Sequence, residues 1–277
     1  MKSKTLYVSD LDGTLLAPDG FLSEKSCQIL NEVIRDGGKF SIATSRNLTA
    51  FLARTKGLDF QIPVILNTGA CIYDLKVKHY KFVEPIPFHA LINLKQKLDK
   101  NRIGGFIYTL RDEQLWLIYE RYYDDCDYMY LEKRKLLYPS IAMTSEQLLS
   151  QKDEFTPIFF VAYGSYEKIQ SVRQIESTLS DIKGTMSHDV YSNNYFIEFT
   201  ECSVSKASAI QKLKNSLDVD EIVAFGDNTN DIEMLTQADR SYVTANGISD
   251  VKSLATRIIG SNNEDSVAQF IKRDFYS

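Results

Sequence analysis

The chain has 277 residues, which exceeds the usual size of one domain, so we expect two moderate domains. Its 44% hydrophobic and 25% charged residues are typical of a globular protein. The formal net charge of -5 and the scattered Lys and Arg residues argue against nucleic acid as a partner.

The sequence also lacks the usual signals for export or membrane insertion. The N-terminus reaches Asp10 and Asp12 before any apolar run long enough for a signal peptide, and no stretch approaches the ~18 apolar residues of a membrane span. The four cysteines are far apart and form no C-x-x-C pair, which is typical of reduced thiols. We therefore expect a cytoplasmic protein with no membrane partner.

The first segment, residues 1–83, alternates between strand and helix patterns. This order predicts a parallel sheet with helices on its faces. The predicted elements are a strand over 5–9, a helix from the cap Ser23 to about Asp36, a strand in KFSIATSR, a helix from Leu48 to Lys56, and a third strand with a turn and a returning strand in PVILNTGACIYD.

From about Glu84 the pattern changes, and Pro85 and Pro87 mark the boundary. A hairpin and further strands predict an antiparallel α+β domain over 84–200 with no recognisable catalytic cluster. The predicted elements are a helix over 88–101, strands over 105–110 and 114–119, a helix over 122–135, a strand over 156–164, a helix over 166–179, and strands over 185–191 and 195–200. We expect its aromatic residues to pack in its own core, among them Trp116, Tyr122, Tyr123, Tyr128 and Tyr130.

The alternating pattern returns in residues 201–277. A helix from Ser205 to Ser216, the strand EIVAFG, a polar loop, another helix and strand, and a final helix from Asn263 are predicted. Residues 1–83 and 201–277 together therefore predict one parallel α/β core that the segment 84–200 interrupts. Such folds place an active site at the carboxyl edge of the sheet.

Four aspartates follow two of the predicted strands. Asp10 and Asp12 come after the first strand, and Asp227 and Asp231 come after EIVAFG. An extended backbone projects residues two apart to the same side, so both carboxylates of the first pair can face one ligand. A single aspartate here is better explained as a helix cap or turn residue, but two such clusters indicate a Mg²⁺ site.

Two further polar residues stand where a strand or a helix meets a loop. Thr44 ends the strand of SIATSR, where its hydroxyl can hold a phosphate oxygen or cap the next helix. Lys206 opens the helix Ser205 to Ser216, where it can neutralise phosphate or lie exposed to solvent. Each residue alone favours the structural alternative, but both fall at the edge where the aspartates are expected.

Taken together, these motifs resemble the haloacid dehalogenase superfamily in their order and spacing. The matching segments are DLDGT at 10–14, Thr44 in ATSR, Lys206 in SVSK, and GDNTNDIEML at 226–235. The large insertion and the turn that begins at Asn67 look like the Cof-type branch of sugar-phosphate phosphatases. The resemblance implies an α/β fold with a Rossmann-like parallel-sheet core and an inserted α+β cap domain, which selects the substrate.

The resemblance implies catalytic roles for four residues. Asp10 corresponds to the nucleophile, and Asp12 corresponds to the general acid and base. Thr44 corresponds to the residue that orients the phosphate, and Lys206 to the residue that neutralises its charge.

The resemblance also implies a metal-binding role for the second acidic loop. Asp227 corresponds to the metal-binding acid, Asp231 to the second acid of the loop, and Asn230 to a residue that supports it beside the phosphate. The implied Mg²⁺ ligands are Asp10, Asp12 through its backbone carbonyl, Asp227 and Asp231. Glycines that are frequent in the branch are replaced here by Ser45, Ala207 and Ser266, of which the first two can narrow the pocket.

The sequence therefore predicts a Mg²⁺-dependent phosphatase that hydrolyses a small phosphorylated metabolite through a phosphoaspartyl intermediate on Asp10. A phosphomutase or phosphoryl transferase, in which a second substrate replaces water, stays open as an alternative. A signalling protein that carries an aspartyl phosphate also stays open. The long insertion and the second acid at Asp12 weigh against signalling, because a signal should hydrolyse slowly.

Overall fold

The computed structural model describes residues 4–189 and 192–277. Residues 1–3, which begin the predicted core segment, and Tyr191, the predicted end of a strand, lie outside these ranges. The chain divides into two compact units: a core unit of Met1–Val83 with Val204–Ser277, and an inserted unit of Glu84–Ser203. Within the described ranges, the helices are too short or too polar to span a membrane.

Strands and helices alternate in the core unit. Before the insertion they are β1 (Thr5–Ser9), α1 (Glu24–Arg35), β2 (Lys39–Ile42), α2 (Leu48–Arg54), β3 (Val64–Leu66), β4 (Cys71–Asp74) and β5 (His79–Val83). The inserted unit contains α3 (Phe88–Lys100), β6 (Phe106–Arg111), β7 (Gln114–Tyr119), α4 (Asp125–Lys135), β8 (Ser140–Ala142), α5 (Ser145–Ser150), β9 (Thr156–Gly164), α6 (Tyr166–Glu176), β10 (Ile182–His188) and β11 (Tyr195–Glu201). The core unit then resumes with α7 (Lys206–Ser216), β12 (Glu221–Gly226), α8 (Ile232–Gln237), β13 (Arg240–Val243), α9 (Ser249–Lys252), β14 (Arg257–Ile258) and α10 (Ser266–Phe275).

The main sheet of the core unit is parallel, with the order β14-β13-β12-β1-β2. Leu6, Tyr7 and Val8 of β1 are all buried, which explains why this strand reads as a continuous apolar run. The chain passes from β1 to β2 on one side, whereas β12 pairs with β1 on the other. The loops after β1 and β12 therefore meet at a switch point of the sheet, where parallel α/β folds bind their ligands.

The prediction that the third strand continues the parallel sheet is wrong in one respect. β3 belongs to a separate antiparallel sheet with the order β3-β4-β5. A parallel bridge between Ala43 and Ile65 joins it to the residue that follows β2. The turn that begins at Asn67 reverses the chain straight after β3, so β4 pairs with it.

The inserted unit is an α+β unit built on a sheet with the order β10-β11-β9-β6-β7-β8. Its pairs are antiparallel apart from β7 with β8, which run parallel. One sheet face, which includes Ile107, Phe160 and Ile197, packs with α3 and α6 to form the core of this unit. The described part of the predicted strand 185–191 ends at His188, because the chain leaves the ladder there.

Several boundaries and burial predictions for the inserted unit need correction. The helix predicted over 122–135 begins only at Asp125, because the Asp124 side chain accepts the N–H of Asp127 as a cap. Tyr130 is buried as expected, but Tyr122 and Tyr128 are 53% and 46% exposed. The short elements β8 and α5 were not predicted, since segments of this length carry little periodic signal.

Candidate active site

The predicted site residues of the core unit converge at the carboxyl edge of its parallel sheet. Asp10 follows β1, Thr44 follows β2, Asp227 follows β12, and Lys206 is the first residue of α7. Because β12, β1 and β2 are neighbours, their carboxyl ends lie side by side. The loops of the motifs are thus brought together by the strand order.

A buried lysine joins two of the aspartates. Lys206 is only 1% exposed, and its Nζ donates to Oδ1 of Asp10 at 2.5 Å and to Oδ1 of Asp231 at 2.7 Å. Burial opposes the charge of Lys206, but the two carboxylates together raise its pKa above the ordinary value. The alternative that Lys206 is an exposed lysine is therefore wrong. The helix begins at Lys206 because Ser205 caps it, and this start directs the lysine into the site.

Three carboxylates form a compact acidic cluster. Oxygens of Asp10, Asp227 and Asp231 lie within 4.8 Å of one another, and all three residues are buried. Burial raises the pKa of Asp10, although the Lys206 ammonium opposes that rise. Burial also raises the pKa of Asp227 to about 6, against the hydrogen bond that Thr14 donates to it. One ammonium thus faces three acids, which is a charge imbalance that a divalent cation would correct.

The hydrogen bonds of the cluster fit a hard cation at Asp10 and Asp227. Asp231 uses Oδ1 for Lys206 and Oδ2 for the backbone N–H groups of Asp227 and Asn228, at 2.9 and 3.2 Å. In the described part of the chain, the side-chain hydrogen bonds of Asp10 and Asp227 use only one oxygen each. Carboxylate oxygens of this kind are the ligands that Mg²⁺ prefers. The residues present therefore fit such an ion.

Gly13 allows the two acidic loops to approach each other. Its φ of 79° lies in the left-handed region, and a Cβ there would clash with Oδ2 of Asp227. The next residue, Thr14, donates its hydroxyl to Oδ1 of Asp227 at 2.7 Å. The Gly-Thr of DLDGT therefore positions Asp227, 213 residues further along the chain.

Asp12 forms an ion pair with Arg46. Its two carboxylate oxygens accept from Nε and Nη2 of Arg46, at 2.7 and 2.6 Å. That the carboxylates of Asp10 and Asp12 face one ligand stays a prediction. The side chain of Asp12 is 46% exposed, which leaves it accessible from solvent.

Thr44 is fully buried at the end of β2. Its Oγ1 accepts the N–H of Arg46 at 3.1 Å, and its carbonyl accepts the N–H of Thr68 at 3.0 Å. The alternative that Thr44 caps α2 is wrong, because Asn47 fills that position and accepts the N–H of Ala50. The hydroxyl of Thr44 is instead fixed beside the loop that carries Arg46.

A turn at Asn67, Thr68 and Gly69 packs the loop after β3 against the start of α7. Asn67 and Thr68 have φ values of 51° and 57°. A Cβ at Gly69 would overlap the carbonyl oxygen of Ser205, so only glycine permits this approach. The turn therefore links the Thr44 loop to the helix that carries Lys206.

The remaining predicted positions lie outside the buried cluster. Asn230 is exposed on the turn between Asn228 and Asp231. Ser45 is also exposed, whereas Ala207 is buried in α7. The buried hydroxyl of Ser266, at the start of α10, has no hydrogen-bond partner among the described residues.

Sequence reasoning missed two residues of this site. Thr14 and Arg46 contact Asp227 and Asp12 through side-chain hydrogen bonds. Both stand inside the motifs DLDGT and ATSR, which is the signal that could have found them. Their partners are distant in sequence, so no local pattern indicates the contacts.

Comparison with known proteins agrees with this geometry. A family model described as haloacid dehalogenase-like hydrolase matches residues 7–271. The chain is 25% identical over 281 residues to a 5-amino-6-(5-phospho-D-ribitylamino)uracil phosphatase of Bacillus subtilis, with 99% of each chain covered. It is 26% identical over 280 residues to a pyridoxal phosphate phosphatase of Escherichia coli, with 95% of each chain covered.

Solved structures show the same fold. A phosphatase of this superfamily from Bacteroides thetaiotaomicron has a TM-score of 0.76 at 21% identity, covering 99% of this chain and 96% of that one. A protein from Thermotoga maritima has the same TM-score and identity, covering 98% of this chain and 97% of that one. The chain therefore belongs to the haloacid dehalogenase-like hydrolase family, as the motifs predicted, and is an enzyme of the phosphatase type.

Proposed function

We propose that this enzyme hydrolyses a small phosphorylated metabolite through a phosphoaspartyl intermediate on Asp10. The observation that carries the proposal is the contact between Asp10 and the buried Lys206, inside a cluster of three acids that fits a divalent cation. An aspartate that served only as a helix cap or turn former would not need a buried lysine as its partner. A carboxylate that attacks phosphorus needs both its negative charge and a cation that draws the phosphate towards it.

Mg²⁺ is the metal that we propose for the cluster. Asp10 and Asp227 would hold it with the backbone carbonyl of Asp12, and Asp231 would support them through Lys206 and the loop N–H groups. Bound there, the ion would offset negative charge on the phosphate oxygens. It would also lower the pKa of Asp10, which burial and the neighbouring acids hold high, and so keep the nucleophile ionised.

In the first step, a carboxylate oxygen of Asp10 attacks phosphorus, and the bond from phosphorus to the metabolite oxygen breaks. The proton that this oxygen needs comes from Asp12. Lys206 and the hydroxyl of Thr44 hold the other phosphate oxygens. In the second step, Asp12 takes a proton from water, the water oxygen attacks phosphorus, and Asp10 is released with inorganic phosphate.

We propose that the inserted unit selects the metabolite, since the chemical groups named above all lie in the core unit. Relatives named for a ribitylaminouracil phosphate and for pyridoxal phosphate support a small phosphorylated metabolite as the substrate class. We also propose a cytoplasmic location, which cell fractionation with an antibody against the chain would test.

The test is a screen of phosphorylated metabolites with Mg²⁺, followed by variants assayed on p-nitrophenyl phosphate. Asp10→Asn should lower turnover by on the order of 10⁴-fold, because the nucleophile is lost. Asp12→Asn should release one burst of p-nitrophenol and then stall, because the phenolate departs without a proton but water lacks its base.

The exposed Asp250 provides a control, and Asp250→Asn should keep wild-type turnover. Mass spectrometry of the stalled Asp12→Asn enzyme should find one phosphate on Asp10. Phosphate on another residue, or a burst from Asp10→Asn, would refute the assignment of the nucleophile.

A further inference from the structure

The contact between Arg46 and Asp12 has a geometry that a single point charge could not provide. Nε and Nη2 of Arg46 each donate to a different oxygen of Asp12, at 2.7 and 2.6 Å. Two parallel N–H to oxygen bonds fix the plane of the carboxylate as well as its position. Arg46 thus determines where the Asp12 oxygens point.

Stability alone explains this pair poorly. The side chains of Arg46 and Asp12 are 27% and 46% exposed, and ion pairs that water can reach add little to folding. By contrast, the neighbouring pair of Lys206 with Asp10 is buried. The exposed pair joins the loops that follow β1 and β2, beside the proposed nucleophile Asp10, which favours a functional role.

The backbone of Arg46 is itself fixed on both sides. Its N–H donates to Oγ1 of Thr44 at 3.1 Å, and its carbonyl accepts the N–H of Asn67 at 3.0 Å. The guanidinium therefore extends from an anchored loop to a carboxylate two residues after Asp10. This connection ties the loop after β2 to the loop after β1.

We infer that Arg46 is a positioning residue that orients Asp12 for proton transfer to and from the reacting oxygens. The inference rests on the proposed function, because it assigns Arg46 to the proton-transfer half of that reaction. It requires the fork of arginine, so lysine at this position should keep the charge but lose the orientation.

The first test uses leaving groups of different quality. Arg46→Ala should lower kcat for glycerol 2-phosphate by about 10- to 100-fold, a part of what a general acid contributes, and should change KM by less than about threefold. With p-nitrophenyl phosphate, the burst should keep nearly its wild-type rate, since phenolate needs no proton, while later turnover slows. Arg46→Lys should restore only part of the loss. The control Arg35→Ala alters an exposed arginine at the end of α1 and should change neither substrate's turnover.

The second test is a double-mutant cycle with Asp12→Asn. If Arg46 acts through Asp12, adding Arg46→Ala to Asp12→Asn should lower the rate by less than about twofold. The inference would be overturned if Arg46→Ala lowered the rate equally in the wild-type and Asp12→Asn backgrounds, or equally for both leaving groups. A raised KM with unchanged kcat, or full activity of Arg46→Lys, would also overturn it. A gain in rate from Arg46→Ala would also overturn it, because Arg46 would then restrain Asp12.

These outcomes are distinct from a failure of the proposed function. That failure would appear in the wild-type enzyme as an absence of phosphate release, or as an Asp10→Asn variant that remains active. If a thermal denaturation assay shows that Arg46→Ala does not fold, Arg46→Lys and Arg46→Gln can be tested with the same two substrates instead.

Discussion

Replacing Lys206 with methionine tests the electrostatic account of the site most directly. Methionine keeps much of the length of the lysine stem but removes the ammonium that lies 2.5 Å from Asp10 and 2.7 Å from Asp231. Both carboxylates are buried, so they would face each other without a cation. Removing one partner of a buried ion pair costs about 3–5 kcal/mol, so we expect Lys206→Met to destabilise the core unit by this amount in the absence of metal.

The loss of stability in Lys206→Met should become larger as the pH rises. Without the opposing charge of Lys206, burial and the neighbouring acids would hold the pKa of Asp10 further above its unfolded value. A group whose folded pKa is raised contributes most to stability when it is protonated, and loses that contribution as the pH rises through the folded pKa. The variant should therefore be closest to wild type near pH 4 to 5 and furthest from it near pH 8.

Hydrogen exchange of β1 and β12 peptides, measured with EDTA present, reports on the correct unit. Fluorescence would not, because the single tryptophan, Trp116, lies in the inserted unit. Since about 1.4 kcal/mol corresponds to a tenfold change, exchange protection should fall by about 10²- to 10⁴-fold at pH 8. Lys214→Met is the control, because Lys214 lies on the same helix but pairs with Asp239 at 3.7 Å near the surface. A Lys206→Met variant that matches this control at pH 8 would refute the reasoning.

Three further predictions concern the metal site and a buried acid of the inserted unit. Exhaustive EDTA treatment should abolish phosphate release, and Mg²⁺ should restore it. Because burial raises the pKa of Asp227 to about 6, Mg²⁺ binding should release protons and should weaken as the pH falls through about 6. Calorimetry in buffers of different ionisation enthalpy would measure both effects. Gly13→Ala should lower Mg²⁺ affinity and activity at least about tenfold in the same two assays. The φ of 79° is unfavourable for alanine, and the added Cβ would clash with Asp227. Wild-type Mg²⁺ affinity in this variant would contradict the prediction. In the inserted unit, burial raises the pKa of Glu198 to about 7 against the opposing charge of Arg134, so Glu198 should destabilise that unit increasingly as the pH rises from 4.5 to 7. Glu198→Gln should therefore gain stability relative to wild type at pH 8 but not at pH 4, as measured by the urea midpoint of Trp116 fluorescence.

The sequence predicted best those features that depend on neighbouring residues. β1 is a continuous apolar run followed at once by acids, so both the strand and the start of the acidic loop could be read locally. Ser23 accepts the N–H of Ser26 as a helix cap, as its position before a helical pattern predicted. The short strand β14 was not predicted, because two residues carry no period of their own.

Contacts between distant segments could not be predicted in this way. The sequence left Lys206 open between an exposed lysine and a phosphate ligand, because its burial depends on how α7 meets the loops after β1 and β12. Arg46 reads as an ordinary polar residue until folding brings Asp12, 34 residues earlier, to within 2.6 Å. Tyr122 and Tyr128 show the opposite error, since aromatic composition predicts burial but not which side of a helix or loop faces solvent.

These errors share a physical cause that also explains how the site works. In an isolated loop, Asp10 would be an ordinary solvated carboxylate, and Lys206 an ordinary solvated ammonium. The sheet buries both, so each acquires a strong dependence on the other and on Asp231. A carboxylate that must attack a negatively charged phosphate gains from this arrangement, because its partners are fixed before the substrate arrives. The buried environment of Asp10 therefore follows from the strand order β12-β1-β2, which no single motif encodes.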